Sequence, residues 1–109
     1  MIVIDIAENL AEEMFAFIRK ESGNADFKNI HFYKGDLSNS DNVEELWAKI
    51  VKDHGPIHIL INNAAICLGK RVSETSINLV KLVMNVNFIS YVHLCMLFLR
   101  QPEVKSNTD

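Results

Sequence analysis

Polar residues follow each of three aliphatic runs in this sequence, at positions where they can bind a ligand. If the runs are parallel strands, their carboxyl ends lie at one edge of a sheet, and ligands bind at such an edge. Carboxylates there can accept hydrogen bonds from sugar hydroxyls, and an asparagine amide can tie neighbouring strands together. The residues that follow the runs are Asp5, Asp36, Leu37, Asn62, Asn63, Ala64 and Ala65.

A further asparagine, Asn87, stands 25 positions after Asn62 (87 − 62), inside a long apolar stretch. An asparagine within a helix costs stability and a buried amide without a partner costs more, so Asn87 needs a hydrogen-bonding reason to be there. A catalytic role is one explanation, and an amide satisfied by a loop or a partner helix is the other. The predicted helical stripe that contains it comprises Val80, Met84, Asn87, Tyr91, Leu94 and Phe98.

The other polar positions also have purely structural explanations. Asp5 and Glu8 have the D-x-x-E spacing of a helix capping box, and these two residues alone favour the cap over the other role of an acid at a strand tip, which is to bind an adenosine ribose. Asp36 lies in a loop rich in Gly, Ser and Asn, where an Asx turn is common. Asn62 and Asn63 suit an ordinary turn out of a strand. The residue types alone leave ligand binding and local structure open.

The aliphatic runs and the helical periodicity between them predict an α/β fold with a partial, Rossmann-like, doubly wound parallel sheet of three strands and three helices. We expect strands at residues 1–6, 30–34 and 57–62. Residues 1–100 would form one partial domain, and residues 101–109 a frayed polar tail. We expect three helices. The first ends at Ser22-Gly23-Asn24, and the second runs from an Asp41/Glu44 capping box to Gly55-Pro56. The third runs from Ser73 or Thr75 to about Arg100.

Composition argues against several classes of function. A net charge of −3 and a pI near 5.8 give no electrostatic reason to expect a nucleic acid or an anionic membrane as partner. The most membrane-like run, residues 88–99, has 12 residues (99 − 88 + 1), short of the ~20 needed to span a bilayer. Neither the four histidines nor Cys67 and Cys95 have metal-ligand spacing. We expect both cysteines to be small buried hydrophobes in a reducing compartment, which favours a cytoplasmic protein.

The run Asn62-Asn63-Ala64 followed by a small residue resembles the NNAG motif of the short-chain dehydrogenase/reductase family. The apolar helix that carries Asn87 at the observed distance resembles the family segment that carries a catalytic Asn. The resemblance covers about residues 1–99. One position departs from the family, because Ala65 stands where Gly is usual, and its Cβ would either crowd the ribose or forbid a positive φ.

The resemblance implies a partial dinucleotide-binding domain and a role for each matching residue. Asp5 would bind the adenosine ribose and favour NAD over NADP. Asp36 would meet the adenine amino group, and Leu37 would pack on the ring. Asn87 would hold a water that joins the family's catalytic Lys to a proton relay. The residues expected against the ribose and nicotinamide are Asn62, Ala64 and Ala65.

Other family elements have no counterpart in the sequence. The four glycines are spread singly, so no G-x-G-x-x-G loop occurs, and neither Tyr33 nor Tyr91 has Lys four positions on. The resemblance therefore implies an NAD(P)-dependent oxidoreductase of small alcohols and carbonyls in a truncated form, which we expect to be inactive. It gives weak grounds for cofactor binding by these residues alone.

Two alternatives to an enzyme remain. One is a non-catalytic α/β fragment or pseudo-enzyme that associates with a partner, or with a second copy, through helix 75–100. The other is a phosphoacceptor receiver domain, which is disfavoured because Asp5 lacks the adjacent acid that would help to hold magnesium.

Overall fold

The computed structural model describes residues 1–23 and 27–102. Asn24 of the predicted helix stop and residues 103–109 of the predicted tail lie outside these ranges. The chain divides into two compact units, Met1–Asp36 and Leu37–Asp109. Strands and helices alternate in the first unit and its sheet is parallel, so the α/β class predicted from the sequence is confirmed.

The first unit is a β-α-β arrangement. Its elements are β1 (Ile2–Asp5), α1 (Asn9–Ser22), a 3-10 turn (Phe27–Asn29) and β2 (His31–Lys34). The two strands pair in parallel, with Ile2 opposite His31 and Asp5 opposite Lys34. Parallel neighbours require a crossover connection, which α1 supplies, and the β-branched residues of β1 suit its pleated surface. The first two predicted strands are therefore confirmed.

The start of α1 differs from the predicted capping box. Asp5 Oδ1 accepts a hydrogen bond from the N–H of Ala7 at 2.9 Å, and Glu8 precedes the helix without making a side-chain cap. Glu8 Oε2 instead lies 3.4 Å from Lys34 Nζ in an exposed ion pair. A bond from the Asp side chain to the backbone two residues on is an Asx turn. The short Asp5 side chain is therefore engaged before α1 begins.

The second unit is built from helices. They are α2 (Ser40–His54), a 3-10 turn (Val72–Glu74), α3 (Ile77–Met84), a π-helical segment (Asn85–Ile89) and α4 (Ser90–Leu99). Asn39 caps α2, because its Oδ1 accepts from the N–H groups of Asp41 and Asn42 at 3.0 and 3.2 Å. The predicted Asp41/Glu44 capping box is therefore wrong by two residues. Gly55, at φ 78°, ends α2 as predicted.

Residues 57–62 form no strand pairing with any other described residue, so the third predicted strand is wrong. A strand needs a neighbouring backbone to complete its ladder. Here the N–H of Ile57 donates at 2.8 Å to the side chain of Gln101 instead. Gln101 is 5% exposed, so the predicted frayed tail is also wrong at its first residue.

The helix Ile77–Leu99 is continuous but changes its hydrogen-bonding pattern at the π-helical segment. There the N–H of Ser90 donates to the C=O of Asn85, five residues back, instead of to that of Val86. The freed C=O of Val86 accepts from the Ser90 hydroxyl at 2.6 Å. An i→i+5 turn takes one more residue than an α-helical turn, which changes which side chains share a face.

The burial of the helix follows this extra residue. Val80 and Met84, predicted on the inward stripe, are exposed, and Leu79 and Val83 are half-buried in their place. C-terminal to the π-helical segment the predicted positions hold, since Leu94 is buried. The predicted stripe was wrong only N-terminal to the π-helical segment, because it assumed a single helical period along the whole helix.

The core of the second unit lies where α2 packs against α4. Its buried apolar side chains are Val43, Ile50 and Leu94. Val43 and Ile50 lie seven positions apart (50 − 43) on one face of α2, as the helical period requires. At the edge of this contact His93 Nε2 lies 3.2 Å from Glu44 Oε1, so Glu44 bridges two helices instead of capping one.

The helix Ile77–Leu99 has 23 residues, and its most apolar 18-residue window has a mean hydropathy of 1.8, so by length and composition it could cross a membrane. The sequence argument from the 12-residue run at 88–99 was therefore wrong about length. Polar contacts tie this helix to its own chain, because Asn87 bonds to Ile66 and His93 lies against Glu44. Only Ser90 and Leu94 of this helix are fully buried, so these contacts leave most of its side chains at least partly exposed.

Candidate functional site

In the first unit, the carboxyl ends of the two strands lie side by side. The N–H of Gly35 donates to the C=O of Asp5 at 3.0 Å, which continues the pairing of β1 and β2 to the point where Asp36 follows. Within the described residues, the second carboxylate oxygen of Asp5 accepts no hydrogen bond. An ionised carboxylate can accept several bonds, so Asp5 retains capacity for hydroxyl donors at this edge. That Asn62 joins the same edge stays a prediction.

In the second unit, Asn62 points toward the last helix. Its Nδ2 lies 3.5 Å from the C=O of Tyr91 and 3.5 Å from Cys95 Sγ, both on α4. The contacts join the segment to a helix and not to a neighbouring strand as predicted. Asn62 Oδ1 is buried and has no hydrogen-bond partner among the described residues. A buried acceptor without a partner is energetically costly.

The two alanines that follow are held by the same helix. The Tyr91 hydroxyl donates to the C=O of Ala64. No described residue other than glycine has a positive φ, so Ala65 has the ordinary backbone of an L-residue. The departure from the family's Gly therefore brings no backbone strain, and only the space taken by its Cβ remains to distinguish it from the family.

Asn87 makes the most complete contact in this region. Its Oδ1 accepts from the N–H of Ile66 at 2.9 Å, and its Nδ2 donates to the C=O of Ile66 at 2.8 Å. The side chain thus pairs with both backbone groups of one residue, as a neighbouring strand would. The need for a hydrogen-bonding reason at Asn87 is confirmed, and a loop residue supplies it. One lone pair on Oδ1 and one proton on Nδ2 remain for another partner.

An open apolar pocket of about 540 Å³ lies beside these contacts. It is lined by Ala65, Ile66, Cys67, Leu68, Thr75, Val80, Val83, Met84 and Asn87. The predicted burial of the cysteines is wrong, because Cys67 and Cys95 are both exposed and free. Cys67 lies in the loop after Ile66, and Cys95 lies on α4 beside Asn62.

The residues that sequence reasoning singled out in the second unit are thus brought together. Asn87 pairs with Ile66, and Asn62 and Ala64 both contact Tyr91, so residues 62–66 are held against the last helix. Sequence reasoning missed Tyr91 and Gln101 as the other side chains that hold it. Tyr91 was placed on the helical stripe and excluded as the catalytic Tyr, but no contact was assigned to it, and Gln101 was assigned to the tail. The spacing of ten between them (101 − 91), within three helical turns, was the available signal.

This arrangement agrees with the comparison to known families. The model of the short chain dehydrogenase family matches residues 1–107. The chain belongs to this family. The family resemblance inferred from the sequence is therefore confirmed.

Two similar proteins come from fungi. Over 74 residues the chain is 32% identical to Dehydrogenase RED3 of Cochliobolus heterostrophus, covering 68% of this chain and 38% of that protein. Over 73 residues it is 29% identical to an uncharacterised oxidoreductase of Saccharomyces cerevisiae, covering 67% of this chain and 24% of that protein. The chain thus spans less than two-fifths of these relatives.

Solved structures show the same fold over nearly the whole chain. A mutant short-chain dehydrogenase/reductase of Serratia marcescens superimposes with a TM-score of 0.71 at 18% identity, covering 92% of this chain and 39% of that one. An alcohol dehydrogenase of Thermococcus sibiricus, complexed with 5-hydroxy-NADP, gives a TM-score of 0.70 at 20% identity, with 90% and 40% covered. A metagenomic blue fluorescent protein in complex with NADPH gives 0.69 at 17%, with 93% and 40% covered.

Proposed function

We propose that this chain carries the central cofactor-contacting part of an NAD(P)-dependent oxidoreductase that interconverts small alcohols and carbonyls. The observation that supports this most is the set of contacts that fixes residues 62–66 on the last helix, made by the residues that match the family's motifs. Hydride transfer is the chemistry that a nicotinamide supplies when bound. We further propose that the protein acts in the cytoplasm and that residues 1–100 form one partial dinucleotide-binding domain.

The proposed binding roles follow the positions that match the family. The unpaired carboxylate oxygen of Asp5 suits the ribose hydroxyls of an adenosine, and Asp36 and Leu37 are proposed to contact its adenine. The small side chains of Ala64 and Ala65 leave the backbone open to close approach by the ribose and nicotinamide. Asn62 is proposed to hold this backbone in place.

Asn87 is proposed to serve a proton relay. Its side chain is fixed by Ile66 at both ends and still has one acceptor site and one donor proton. A water bound there would be held at a defined place relative to residues 62–66. Proton transfer depends on such placement more than on the strength of any one bond.

We propose that the 109 residues alone do not catalyse turnover, because no Tyr in the sequence has Lys four residues on. The purified chain should give no NAD(H)- or NADP(H)-dependent oxidation or reduction of a panel of alcohols and carbonyls, followed by nicotinamide absorbance. Grafting the chain into Dehydrogenase RED3 in place of the matching segment should restore cofactor-dependent turnover. Reproducible turnover by the isolated chain, abolished by a substitution within it, would contradict the proposal of inactivity. A folded but inactive graft would contradict the oxidoreductase assignment.

Cofactor choice in the same graft should depend on Asp5. The carboxylate repels a 2′-phosphate, so kcat/KM should be higher with NAD than with NADP, and Asp5→Ala should narrow the ratio by about tenfold. Glu8→Ala, which removes a nearby exposed carboxylate, serves as the control. If neither substitution changes the ratio of kcat/KM with NAD to kcat/KM with NADP, Asp5 has only its local role in the Asx turn.

A second candidate function is self-association through the last helix. Residues 82–99 contain no Asp, Glu, Lys or Arg over 18 positions (99 − 82 + 1). Phe88, Val92, Met96 and Leu99 are exposed and recur at helical spacing along one face. An uncharged apolar face of this kind suits a second copy of itself, and sedimentation velocity of the purified chain across a concentration series would show whether it dimerises.

A further inference from the structure

The side chain of Gln101 uses all of its hydrogen-bonding capacity except one lone pair on Oε1. Its Oε1 accepts from the N–H of Ile57 at 2.8 Å, and its Nε2 donates to the C=O groups of Ile57 and Phe98 at 3.1 and 3.0 Å. Only 5% of the residue is exposed. A neutral amide is the side chain that offers a donor and an acceptor side by side at the spacing of a backbone N–H and C=O. Gln101 therefore pairs with Ile57 as a strand would.

Asn87 makes the same two-way contact with Ile66, so the chain carries two amide clamps, Gln101 on Ile57 and Asn87 on Ile66. The clamped residues are nine positions apart (66 − 57), and the clamping residues 14 apart (101 − 87) in the opposite direction. Residues 57–66 therefore run antiparallel to the last helix and are fixed at both ends.

The register of a strand is usually set by its ladder with a neighbour. Residues 57–62 have no such ladder with any described part of the chain. Between the clamps, Asn62 contacts Tyr91 and Cys95, and Tyr91 bonds to Ala64. A slip of one residue would break both clamps and all three of these contacts. The side chains of the helix therefore set the register that a sheet would otherwise set.

We propose that Gln101 is a positioning residue that fixes one end of residues 57–66 and so sets where Asn62, Ala64 and Ala65 lie. The consequence for cofactor binding rests on the proposed function. Gln101 belongs to none of the motifs that relate this chain to its family, and it lies 36 positions (101 − 65) beyond Ala65 in the sequence.

Hydrogen exchange of the unaltered chain gives the first test. Gln101 is the only glutamine in the sequence, so its side-chain NH₂ signals can be identified without ambiguity. These protons and the Ile57 amide should exchange at least about tenfold more slowly than those of exposed groups, because both Nε2 protons and the Ile57 N–H are engaged. Exchange of the Gln101 NH₂ at the rate of a free glutamine would overturn the proposal, and this measurement needs no variant that might fail to fold.

The substitution Gln101→Glu gives a second test with a pH signature. An ionised carboxylate still accepts from Ile57 N–H but faces two C=O groups without a proton to donate. Near pH 8 the protection of the Ile57 amide against hydrogen exchange should fall about tenfold, and the NMR signals of Asn62 and Ala64 should shift. Near pH 5 or below, as the buried carboxyl takes up a proton, the donor returns and the native signals should recover.

Arg100→Ala is the matched control, since it changes the adjacent exposed residue at the same helix end. It should alter neither the protection of Ile57 nor the signals of Asn62 and Ala64 at either pH. Signals that shift equally in both variants, or that do not respond to pH in Gln101→Glu, would overturn the positioning role. These measurements need no cofactor, so an inactive graft would contradict the proposed function and leave the result for Gln101 standing.

Discussion

Asn87→Ala is expected to lower the free energy of unfolding by about 2–4 kcal/mol. The substitution removes both bonds to Ile66 and leaves a part-buried N–H and C=O without partners, at about 1–3 kcal/mol each. The better helix propensity of alanine offsets about 0.5 kcal/mol of this loss. Urea unfolding followed by the fluorescence of Trp47, the only tryptophan, would measure the change.

Asn85→Ala is the matched control for this prediction. Asn85 lies two positions earlier in the same π-helical segment, and its side chain makes no hydrogen bond with the described residues. Its replacement should leave stability unchanged or raise it by a few tenths of a kcal/mol through helix propensity. Equal effects of the two substitutions would show that the bonds to Ile66 contribute nothing to stability.

Ile50→Ala is expected to cost about 2–5 kcal/mol, because the side chain lies in the interface of α2 and α4 and is 2% exposed. Removing it leaves a cavity among the few fully buried apolar residues of the second unit. Ile59→Ala is the control of the same residue type, since Ile59 is 78% exposed and its truncation should change stability by less than about 0.5 kcal/mol. Thermal and urea unfolding of both variants would compare them, and a loss at Ile59 as large as that at Ile50 would contradict the assigned core.

The elements that sequence patterns predicted well are those set by local physics. Alternating strands and helices gave the parallel β1–β2 pair, and the Gly55 stop of α2 follows from its positive φ. The need for a partner at Asn87 was also predictable, because a buried amide within a helix has few explanations. Its partner, Ile66, was not, since the contact joins residues 21 positions apart.

The features that the sequence patterns missed depend on which of several nearby polar groups forms a given hydrogen bond. Asn39 caps α2 in preference to Asp41, and the Asp5 carboxylate takes the Ala7 N–H before α1 begins. Asn39 and Asp41 are side chains of similar capping ability two residues apart, and Asp5 could bind any of several nearby N–H groups. The Gln101 contact was hidden for another reason, because a polar residue beside a proline reads as a chain end until the backbone of Ile57 is placed against it.

The one-residue shift of the inward stripe has a physical cause that the sequence shows only in part. A stripe that counts residues at 3.6 per turn cannot show an i→i+5 turn. Ser90 is the local contributor, because its hydroxyl satisfies the C=O of Val86 that the π-helical turn frees. A serine in the middle of an apolar helix is therefore a position where a change of hydrogen-bonding pattern should be considered.

The two exposed thiols make residues 62–66 observable in solution. Cys95 Sγ lies 3.5 Å from Asn62 Nδ2, and Cys67 follows Ile66 directly. The sequence has no other cysteine, so replacing either one with serine leaves a single site for a fluorophore or spin label. Labels on both sites would bracket the segment, and the distance between them would report whether it stays in place when a nucleotide is added.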